Sequence, residues 1–249
     1  MPSYFVTGVS SGIGRGMVRE LVRRGHRVWG IARREDHLLE LQKTLDSDCF
    51  SFSVCDLEQD EQVRSTAARM EESGFRPDVV ILNAGINPER LGSPFTSDEF
   101  EEVVRVNLFG AMRWVDVFMP NFRERGAGHF VAISSLAAFR GDARWIAYCA
   151  SKAALTRAFE ALRGRYNREG ITFTTIHLGA VDTGMGSGSS SWFRLTSEQA
   201  VCRILAAVDR RALSVTMPRV LRLILEAMRI LPDVIFSRIV AGAFTDKDE

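Results

Sequence analysis

The stretch TGVSSGIG, residues 7–14, places three glycines directly after a short apolar run. The run Tyr4–Thr7 predicts a strand, and the apolar spacing over Gly12–Arg24 predicts a helix that stops at Gly25. Glycines between a strand and a helix permit a sharp turn and let a pyrophosphate approach the backbone, where the helix N-terminus attracts its charge. In this context the stretch favours a dinucleotide site over a turn with no further purpose.

Strand and helix patterns alternate through the rest of the chain. Short apolar runs predict strands at Arg27–Ala32, Phe50–Val54, Asp78–Leu82, His129–Ile133, Thr172–His177 and Ser214–Met217. Helical spacing predicts helices at Asp36–Leu45, Glu58–Ser73, Ser97–Asn107, Leu108–Arg125, Ala147–Arg168 and Thr196–Asp209. This alternation predicts an α/β fold of Rossmann type, a doubly wound parallel sheet of about seven strands with helices on both faces. Ligands of such sheets bind beyond the carboxyl ends of the strands.

Composition narrows the class of protein. The 249 residues are 46% hydrophobic, which suits a single domain with a substantial core. A net charge of +1, from 32 basic and 31 acidic residues, gives no basic surface for nucleic acid. The cysteines lack CxxC spacing and a histidine at metal-ligand spacing, so we expect no metal site and reduced thiols. No signal-peptide pattern or apolar run of about 18 residues is visible, so we expect a cytoplasmic protein without a transmembrane segment.

The end of the second predicted strand bears on the choice of dinucleotide. In such folds an acidic residue about 20 residues past the glycines binds the adenosine 2′-hydroxyl of NAD. Here the strand ends at Ala32, and Arg33 and Arg34 follow. Because arginine forms charge-assisted hydrogen bonds to a 2′-phosphate, we expect NADP(H) as the cofactor. Ordinary solvated arginines are the alternative, and Glu35 and Asp36 keep NAD(H) as the less favoured cofactor.

A serine, a tyrosine and a lysine form the second informative pattern. Tyr148 and Lys152 are four residues apart on a predicted helix and therefore share one face. A nearby ammonium lowers the pKa of a tyrosine, which then exchanges a proton with an alcohol or carbonyl oxygen. Ser135, just after the fifth predicted strand, would hold the same oxygen while a hydride passes between the substrate and a nicotinamide. A tyrosine packed beneath a surface lysine is the plain alternative for the pair.

Taken together, these motifs resemble the classical short-chain dehydrogenase/reductase family. The sequence carries the family's TGxxxGxG, its NAG as Asn83-Ala84-Gly85, Asn107 in a mid-chain helix, and twelve residues between Ser135 and Tyr148. The resemblance covers roughly residues 3–215. It implies that Tyr148 is the general acid/base, that Lys152 lowers its pKa and binds the nicotinamide ribose, and that Ser135 positions the substrate oxygen. Asn107 would hold a water that links Lys152 to solvent.

The same resemblance implies a set of cofactor contacts. Asp56 would contact the adenine ring beside Leu57, Asn83 would stabilise the central strands, and helix capping is the alternative for Asp56 and Asn107. The expected cofactor-binding residues are Gly8, Ser10, Ser11, Gly12, Ile13, Gly14, Arg33, Arg34, Asp56, Leu57, Asn83, Ala84, Gly85, Tyr148, Lys152, Gly179, Val181 and Thr183.

One position departs from the family pattern. After the sixth strand the family has Pro-Gly and then a threonine that reaches the nicotinamide amide, whereas this chain has Leu178 in place of the proline. Gly179, Val181 and Thr183 keep the pattern, so we expect the cofactor contacts to survive in a less rigid loop. The serine- and glycine-rich run 184–191 that follows, with Trp192 and Phe193, predicts either a lid or a flexible surface loop.

Residues 218–249 follow the last predicted strand and carry an apolar stripe. Its members are Leu221, Leu225, Met228, Ile235 and Ile239, and Pro232 predicts a break between two helices. Such a stripe is typical of helices that pack on their own domain or on a dimer partner, with peripheral membrane contact as the alternative. The expected organisation is a Rossmann-fold dinucleotide-binding and catalytic domain over residues 1–217 and a helical extension over residues 218–249.

The sequence therefore predicts an NADP(H)-dependent oxidoreductase that acts on a carbonyl or alcohol compound, with an apolar substrate hinted at by the C-terminal stripe. As in the family it resembles, we expect a homodimer or homotetramer. An NAD-linked alcohol dehydrogenase and a non-catalytic dinucleotide-binding sensor or scaffold are the alternatives.

Overall fold

The structure is a computed structural model of the 249-residue chain, and it describes residues 1–88, 94–183 and 194–218 together with Pro232 and Val234. The strands are β1 (Ser3–Thr7), β2 (Arg27–Ala32), β3 (Phe50–Val54), β4 (Val79–Leu82), β5 (Gly128–Ser135), β6 (Ile171–Leu178) and β7 (Ser214–Met217). The α-helices are α1 (Gly12–Arg23), α2 (Glu35–Leu45), α3 (Asp60–Glu72), α4 (Ser97–Val104), α5 (Gly110–Arg125), α6 (Ile146–Tyr166) and α7 (Ser197–Asp209).

All seven strands join one parallel sheet in the order β3-β2-β1-β4-β5-β6-β7. The chain winds outward from β1 to β3, returns to pair β4 with β1, and then winds outward in the other direction. The reversal between β1 and β4 opens a crevice at the carboxyl ends of these strands, where doubly wound sheets bind ligands. The predicted doubly wound α/β fold is confirmed.

Helices cover both faces of the sheet and bury two apolar layers. On one face α1, α2 and α7 contribute side chains such as Met17, Leu38 and Ile204, each fully buried. On the other face α3, α5 and α6 contribute an aromatic layer that includes Trp114 and Phe159. Burying an apolar side chain of this size contributes about 1.5–3 kcal/mol, so the two layers hold the sheet rigid beneath the crevice.

Two elements differ from the prediction in ways that matter for the site. β5 continues past the apolar run to Ser135, which pairs with Leu178 of β6, because parallel pairing does not need an apolar side chain. The two helices predicted on either side of residue 107 are separated by a π-helical turn, Arg105–Phe109. Short 3₁₀ turns follow β5 at Leu136–Ala138 and α6 at Asn167–Glu169.

The predicted C-terminal extension, residues 218–249, lies outside the described residues apart from Pro218, Pro232 and Val234. The predicted lid over residues 184–193 also lies outside them. In the described ranges, no helix has the length and apolar character needed to cross a lipid bilayer.

Candidate active site

The glycine stretch forms the turn from β1 into α1. Gly8 and Gly12 have φ angles of +74° and +55°, which L-residues with a side chain rarely adopt. A Cβ on Gly14 would lie 2.1 Å from the Gly8 carbonyl oxygen, so only glycine lets α1 approach the strand this closely. The first turn of α1 has no acidic residue, and the side chain of its N-cap, Ser11, makes no capping hydrogen bond. The backbone N–H groups of this first turn, at Ile13 and its neighbours, therefore receive no side-chain cap and form a helix N-terminus suited to a phosphate.

The central strands are joined at the floor of the crevice. Thr7 Oγ1 accepts hydrogen bonds from the backbone N–H groups of Asn83 and Ala84, at 3.0 and 2.9 Å. Asn83 Nδ2 donates to the carbonyls of Thr7 and Gly8, at 3.0 and 3.3 Å. Asn83 thus fixes the glycine turn to the loop after β4, while Ala84 lies against Gly8, whose added Cβ would be 2.8 Å from Ala84 Cα.

The two arginines after β2 have different surroundings. Arg34 Nη2 donates to the hydroxyl groups of Ser10 and Ser11, at 2.9 and 3.1 Å, so its guanidinium lies over the glycine turn. Arg33 is exposed, directly after Ala32 at the carboxyl end of β2. The guanidinium of Arg34 is therefore placed beside the helix N-terminus that suits a pyrophosphate.

Asp56 and Leu57 lie just beyond β3. The Asp56 carboxylate accepts a hydrogen bond from the Glu58 N–H at 3.1 Å, and the Asp56 N–H donates to Gln62 Oε1 at 2.8 Å. These bonds are local to the turn before α3, whose N-cap is Gln59, so Asp56 does not cap that helix. Leu57 is buried and packs so closely on Gly110 that an added Cβ there would lie 2.8 Å from Leu57 Cβ.

Ser135, Tyr148 and Lys152 meet at the carboxyl end of β5. A hydrogen bond joins the Tyr148 and Ser135 side chains, and Ser135 Oγ also accepts from the Ala137 N–H at 3.1 Å. Lys152 lies beneath them, only 4% exposed, and its Nζ donates to the Ile133 carbonyl at 2.9 Å. The Lys152 Nζ is 5.7 Å from the centroid of the Tyr148 ring. The structure thus brings the three predicted side chains together.

Burial shifts the pKa values of Tyr148 and Lys152 in opposite directions. Burial raises the pKa of Tyr148 above its ordinary value, and the hydrogen bond from Ser135 opposes that rise only in part. The lowering of this pKa by Lys152, which the family resemblance implies, stays a prediction. Burial also lowers the pKa of Lys152, from 10.5 to about 8.

Asn107 lies in the π-helical turn between α4 and α5 and is 1% exposed. Its Oδ1 accepts from the Ile86 N–H at 2.7 Å, and its Nδ2 donates to the Ile86 carbonyl at 3.0 Å and to Ser151 Oγ at 3.1 Å. A Cβ on Gly85 would lie 3.0 Å from Asn107 Oδ1 and 3.3 Å from Lys152 Nζ. Glycine at this position therefore lets the amide and the ammonium approach the crevice wall together.

The loop after β6 forms the facing wall. The Gly179 N–H donates to the Met217 carbonyl at 2.8 Å, and the Thr183 N–H donates to the Val181 carbonyl at 2.8 Å. An added Cβ on Gly12 would lie 3.6 Å from Thr183 Cγ2, so Thr183 faces the glycine turn. Leu178, at the position where the family has proline, continues the β6 ladder opposite Ser135 and Met217.

Two further side chains, Ser151 and Trp145, contact the site although the sequence did not predict them there. Ser151 is fully buried, accepts from Asn107 and donates to the Tyr148 carbonyl at 2.8 Å. Its position between Tyr148 and Lys152 was the only available signal. The Trp145 ring meets the Tyr148 ring edge-on, with centroids 6.4 Å apart, and only its place just before the helix would have pointed to it. Among the described residues, no cluster of His, Cys, Asp and Glu side chains could hold a metal ion.

Comparisons with known proteins agree with this geometry. The family described as short chain dehydrogenase matches residues 3–193. An uncharacterised oxidoreductase of Myxococcus xanthus is 30% identical over 236 residues, which cover 93% of this chain and 93% of that protein. A short-chain dehydrogenase structure from Streptomyces avermitilis gives a TM-score of 0.81 at 24% identity over 99% of both chains. One from Burkholderia cenocepacia, in complex with NADP, gives 0.82 at 23% identity over 96% of this chain and 97% of that chain.

Proposed function

The chain belongs to the short-chain dehydrogenase family, and from this premise we propose that it is an NADP(H)-dependent oxidoreductase that reduces the carbonyl group of an apolar compound. The observation that carries the proposal is the hydrogen bond between the Tyr148 and Ser135 side chains above the buried Lys152. Two hydroxyl groups that meet at the carboxyl end of a central strand are placed to share one substrate oxygen.

The crevice has the features that a dinucleotide requires. The glycine turn and the uncapped N-terminus of α1 would bind the pyrophosphate, and Thr183 would close over it from the facing wall. Arg34, beside Ser10 and Ser11, would hold a 2′-phosphate with Arg33 as its neighbour. When bound, the reduced nicotinamide supplies the hydride that the substrate carbon receives.

The protein supplies the proton. Because burial raises the pKa of Tyr148, its phenol stays protonated through neutral pH and is ready to donate. As the carbonyl oxygen gains negative charge, Tyr148 gives it that proton and Ser135 donates a hydrogen bond that fixes its position. The ammonium of Lys152 then favours the phenolate that Tyr148 becomes. Asn107 holds the backbone of Ile86 beside this ammonium, on the side of the crevice from which a proton would return from solvent to Tyr148.

The decisive experiment compares the wild type with Tyr148→Phe. We expect NADPH consumption with a panel of apolar ketones and aldehydes, and a loss of about 100- to 10 000-fold in kcat for the variant, since a positioned acid contributes this much. NADPH affinity should change little, because the phenylalanine keeps the ring. Tight NADPH binding without turnover in either protein would instead favour the dinucleotide-binding sensor or scaffold.

The cofactor preference has its own test. We expect the wild type to bind NADPH more tightly than NADH, and Arg34→Ala to reduce NADPH affinity by about tenfold or more, as a lost charge-assisted hydrogen bond does. NADH affinity should stay within about twofold in the same variant. Equal losses for both cofactors, or tighter NADH binding by the wild type, would favour the NAD-linked alcohol dehydrogenase.

We also propose a cytoplasmic homodimer or homotetramer. Apolar side chains at the start of α5 and of α6 are exposed to solvent: Phe109, the last residue of the π-helical turn before α5, is 51% exposed, and Ile146, the first residue of α6, is 47% exposed. Contact between copies through these helices would cover such side chains.

A further inference from the structure

A cavity of about 170 Å³ opens beside α6, at the edge of the sheet formed by β6 and β7. Its walls include Arg163 of α6, Thr175 and His177 of β6, Ser214 of β7, and Phe139 after the Leu136–Ala138 turn. The volume is many times the roughly 10–15 Å³ that one water requires. None of the residues assigned above to the cofactor or to the reacting oxygen lines it, so it is a separate cavity.

The Arg163 guanidinium is the unbalanced charge in this cavity. Its Nε donates to the Phe173 carbonyl at 3.0 Å, and its Nη2 donates to the Leu213 carbonyl and lies 3.5 Å from Thr175 Oγ1. In the part of the chain that the structure describes, no carboxylate forms an ion pair with it. Burial lowers the pKa of Arg163, and the charge of Glu160 offsets this effect only in part. A partly buried cation of this kind gains from an anion beside it.

The other charges on the cavity wall cancel one another. Arg157 and Glu160, one helical turn apart on α6, form a hydrogen-bonded ion pair. That pair leaves Arg163 as the net positive charge, and Thr175, to whose Oγ1 Arg163 donates, and Ser214 also line the wall.

We propose that this cavity binds a small oxyanion of the phosphate type, with Arg163 as its cation and Thr175 and Ser214 as further hydrogen-bond donors. A planar guanidinium with unused N–H groups suits tetrahedral oxyanions. Inorganic phosphate and the phosphate group of a larger metabolite share this chemistry.

An occupant of the cavity would lie next to the residues that hold Ser135. Phe139 follows the turn that begins at Ser135, whose Oγ accepts from the Ala137 N–H. On another wall, Thr156 Oγ1 lies 2.8 Å from Ser134 Oγ, in hydrogen-bond contact. A bound oxyanion would therefore lie next to the segment that carries Ser135.

Isothermal titration of the cofactor-free full-length protein with inorganic phosphate, and separately with glycerol 2-phosphate, tests the proposal. We expect Arg163→Gln to weaken binding by about tenfold or more, the effect of one charge-assisted hydrogen bond. Arg165→Gln is the matched control, because it removes the same charge from an exposed position two residues along α6. It should bind within about twofold of the wild type.

A second variant separates loss of binding from loss of folding, since Arg163 also holds two backbone carbonyls. Ser214→Glu places a carboxylate at the exposed edge of the cavity and leaves Arg163 untouched, so we expect binding to be lost. Ser65→Glu, which adds the same charge at an exposed position of α3 away from the cavity, should bind within about twofold of the wild type.

The glycine turn is the competing place for a phosphate. Binding that survives Arg163→Gln and Ser214→Glu and disappears in Arg34→Ala would overturn the proposal, as would the absence of binding to the wild type. Inorganic phosphate that binds as tightly as the monoester would identify the free ion as sufficient, whereas binding of the monoester alone would identify a larger metabolite as the source.

Discussion

Lys152 is a charged residue in a buried position, and among the described residues its side chain has one hydrogen-bond partner, the Ile133 carbonyl. Its pKa falls from 10.5 to about 8 through desolvation, so the cofactor-free protein is destabilised wherever the side chain is charged. Below pH 8 that cost is about 3 kcal/mol, and it diminishes as the pH rises from 8 towards 10.5.

We expect Lys152→Met to be more stable than the wild type in the absence of cofactor, by about 1–3 kcal/mol at pH 7, because it removes the buried charge. Urea unfolding at pH 7 and at pH 10 measures the difference, which should shrink at the higher pH. Lys43→Met is the control, since Lys43 is exposed on α2 and its replacement should change little. A less stable Lys152→Met variant at pH 7 would show that the bond to Ile133 outweighs desolvation.

His129 gives the fold a pH dependence of the same sign in a lower pH range. It is 1% exposed, and its Nε2 lies 2.8 Å from Thr174 Oγ1, which itself donates to the Ala212 carbonyl at 2.6 Å. Thr174 therefore accepts from a neutral imidazole. Burial, with a smaller effect of Arg211, lowers the pKa of His129 from 6.5 to about 4.

Because the unfolded chain takes up this proton first, stability is complete above pH 6.5 and is lost as the pH falls towards 4, by up to about 3 kcal/mol. Unfolding free energies between pH 7 and pH 4 should show this slope in the wild type and a much smaller one in His129→Gln. His37→Gln, on the solvent side of α2, should keep the wild-type slope. An unchanged slope in the His129 variant would contradict the assignment.

At the same scale, the spacing of Tyr148 and Lys152 in the sequence places both side chains on one face of a helix, but it does not tell how deeply that helix is buried. Spacing along a helix tells which side chains are neighbours. Burial depends on the sheet and loops packed around them, and none of those contacts is local in the sequence. The sign of a pKa shift depends on that burial as much as on the neighbouring charge.

Among the elements, the π-helical turn at Arg105–Phe109 has the largest consequence for the site. This turn directs Asn107 into the interior, where its side-chain amide forms hydrogen bonds with the backbone of Ile86 and with Ser151 on α6. Single π turns inside helices are frequent at functional sites. No local sequence pattern distinguishes such a turn from ordinary helix, which explains why two helices were expected to meet at this position.

We expect Ser151→Ala to keep the fold and to lose about 1 kcal/mol of stability, the net worth of a buried hydrogen bond. If Ser151 positions Asn107, the variant should also lower kcat for carbonyl reduction and alter its pH profile. The effects of Ser151→Ala and Asn107→Ala should then be non-additive in a double-mutant cycle. Additive effects with an unchanged pH profile would limit Ser151 to a structural role.

Two glycine-to-alanine substitutions test whether the close approach of α1 to the strand before it requires glycine at residue 14. Gly14→Ala should destabilise the protein by about 1–3 kcal/mol and abolish dinucleotide binding, because the new methyl group would overlap the Gly8 carbonyl. Gly164→Ala, in α6 with nothing within 4 Å of the added Cβ, should instead stabilise by about 0.5–1 kcal/mol. Thermal unfolding with and without NADPH measures both. Equal effects of the two substitutions would contradict the close approach at Gly14.

For the whole molecule, the strands and helices were predictable because each apolar run or stripe is continuous in the sequence. Strands β2, β3 and β7 have the predicted bounds, and β5 is longer because Ser134 and Ser135 extend a ladder that hydropathy alone ends at Ile133. The glycine turn and the Ser-Tyr-Lys group came from motifs. The anion cavity beside α6 had no sequence signal, since Arg163, Thr175 and Ser214 come from three separate elements.

The strand order also bears on how the protein is made. The first strand pairs with β2 on one side and with β4 on the other, and residues 79–82 leave the ribosome long after residues 3–7. Until β4 is made, strands β1, β2 and β3 therefore form a short sheet in which one edge of β1 has no hydrogen-bonded neighbour. A bare strand of this kind invites wrong pairing with other chains. A pause in translation before β4 would prolong that exposure, whereas one after β4 would leave the strand already covered.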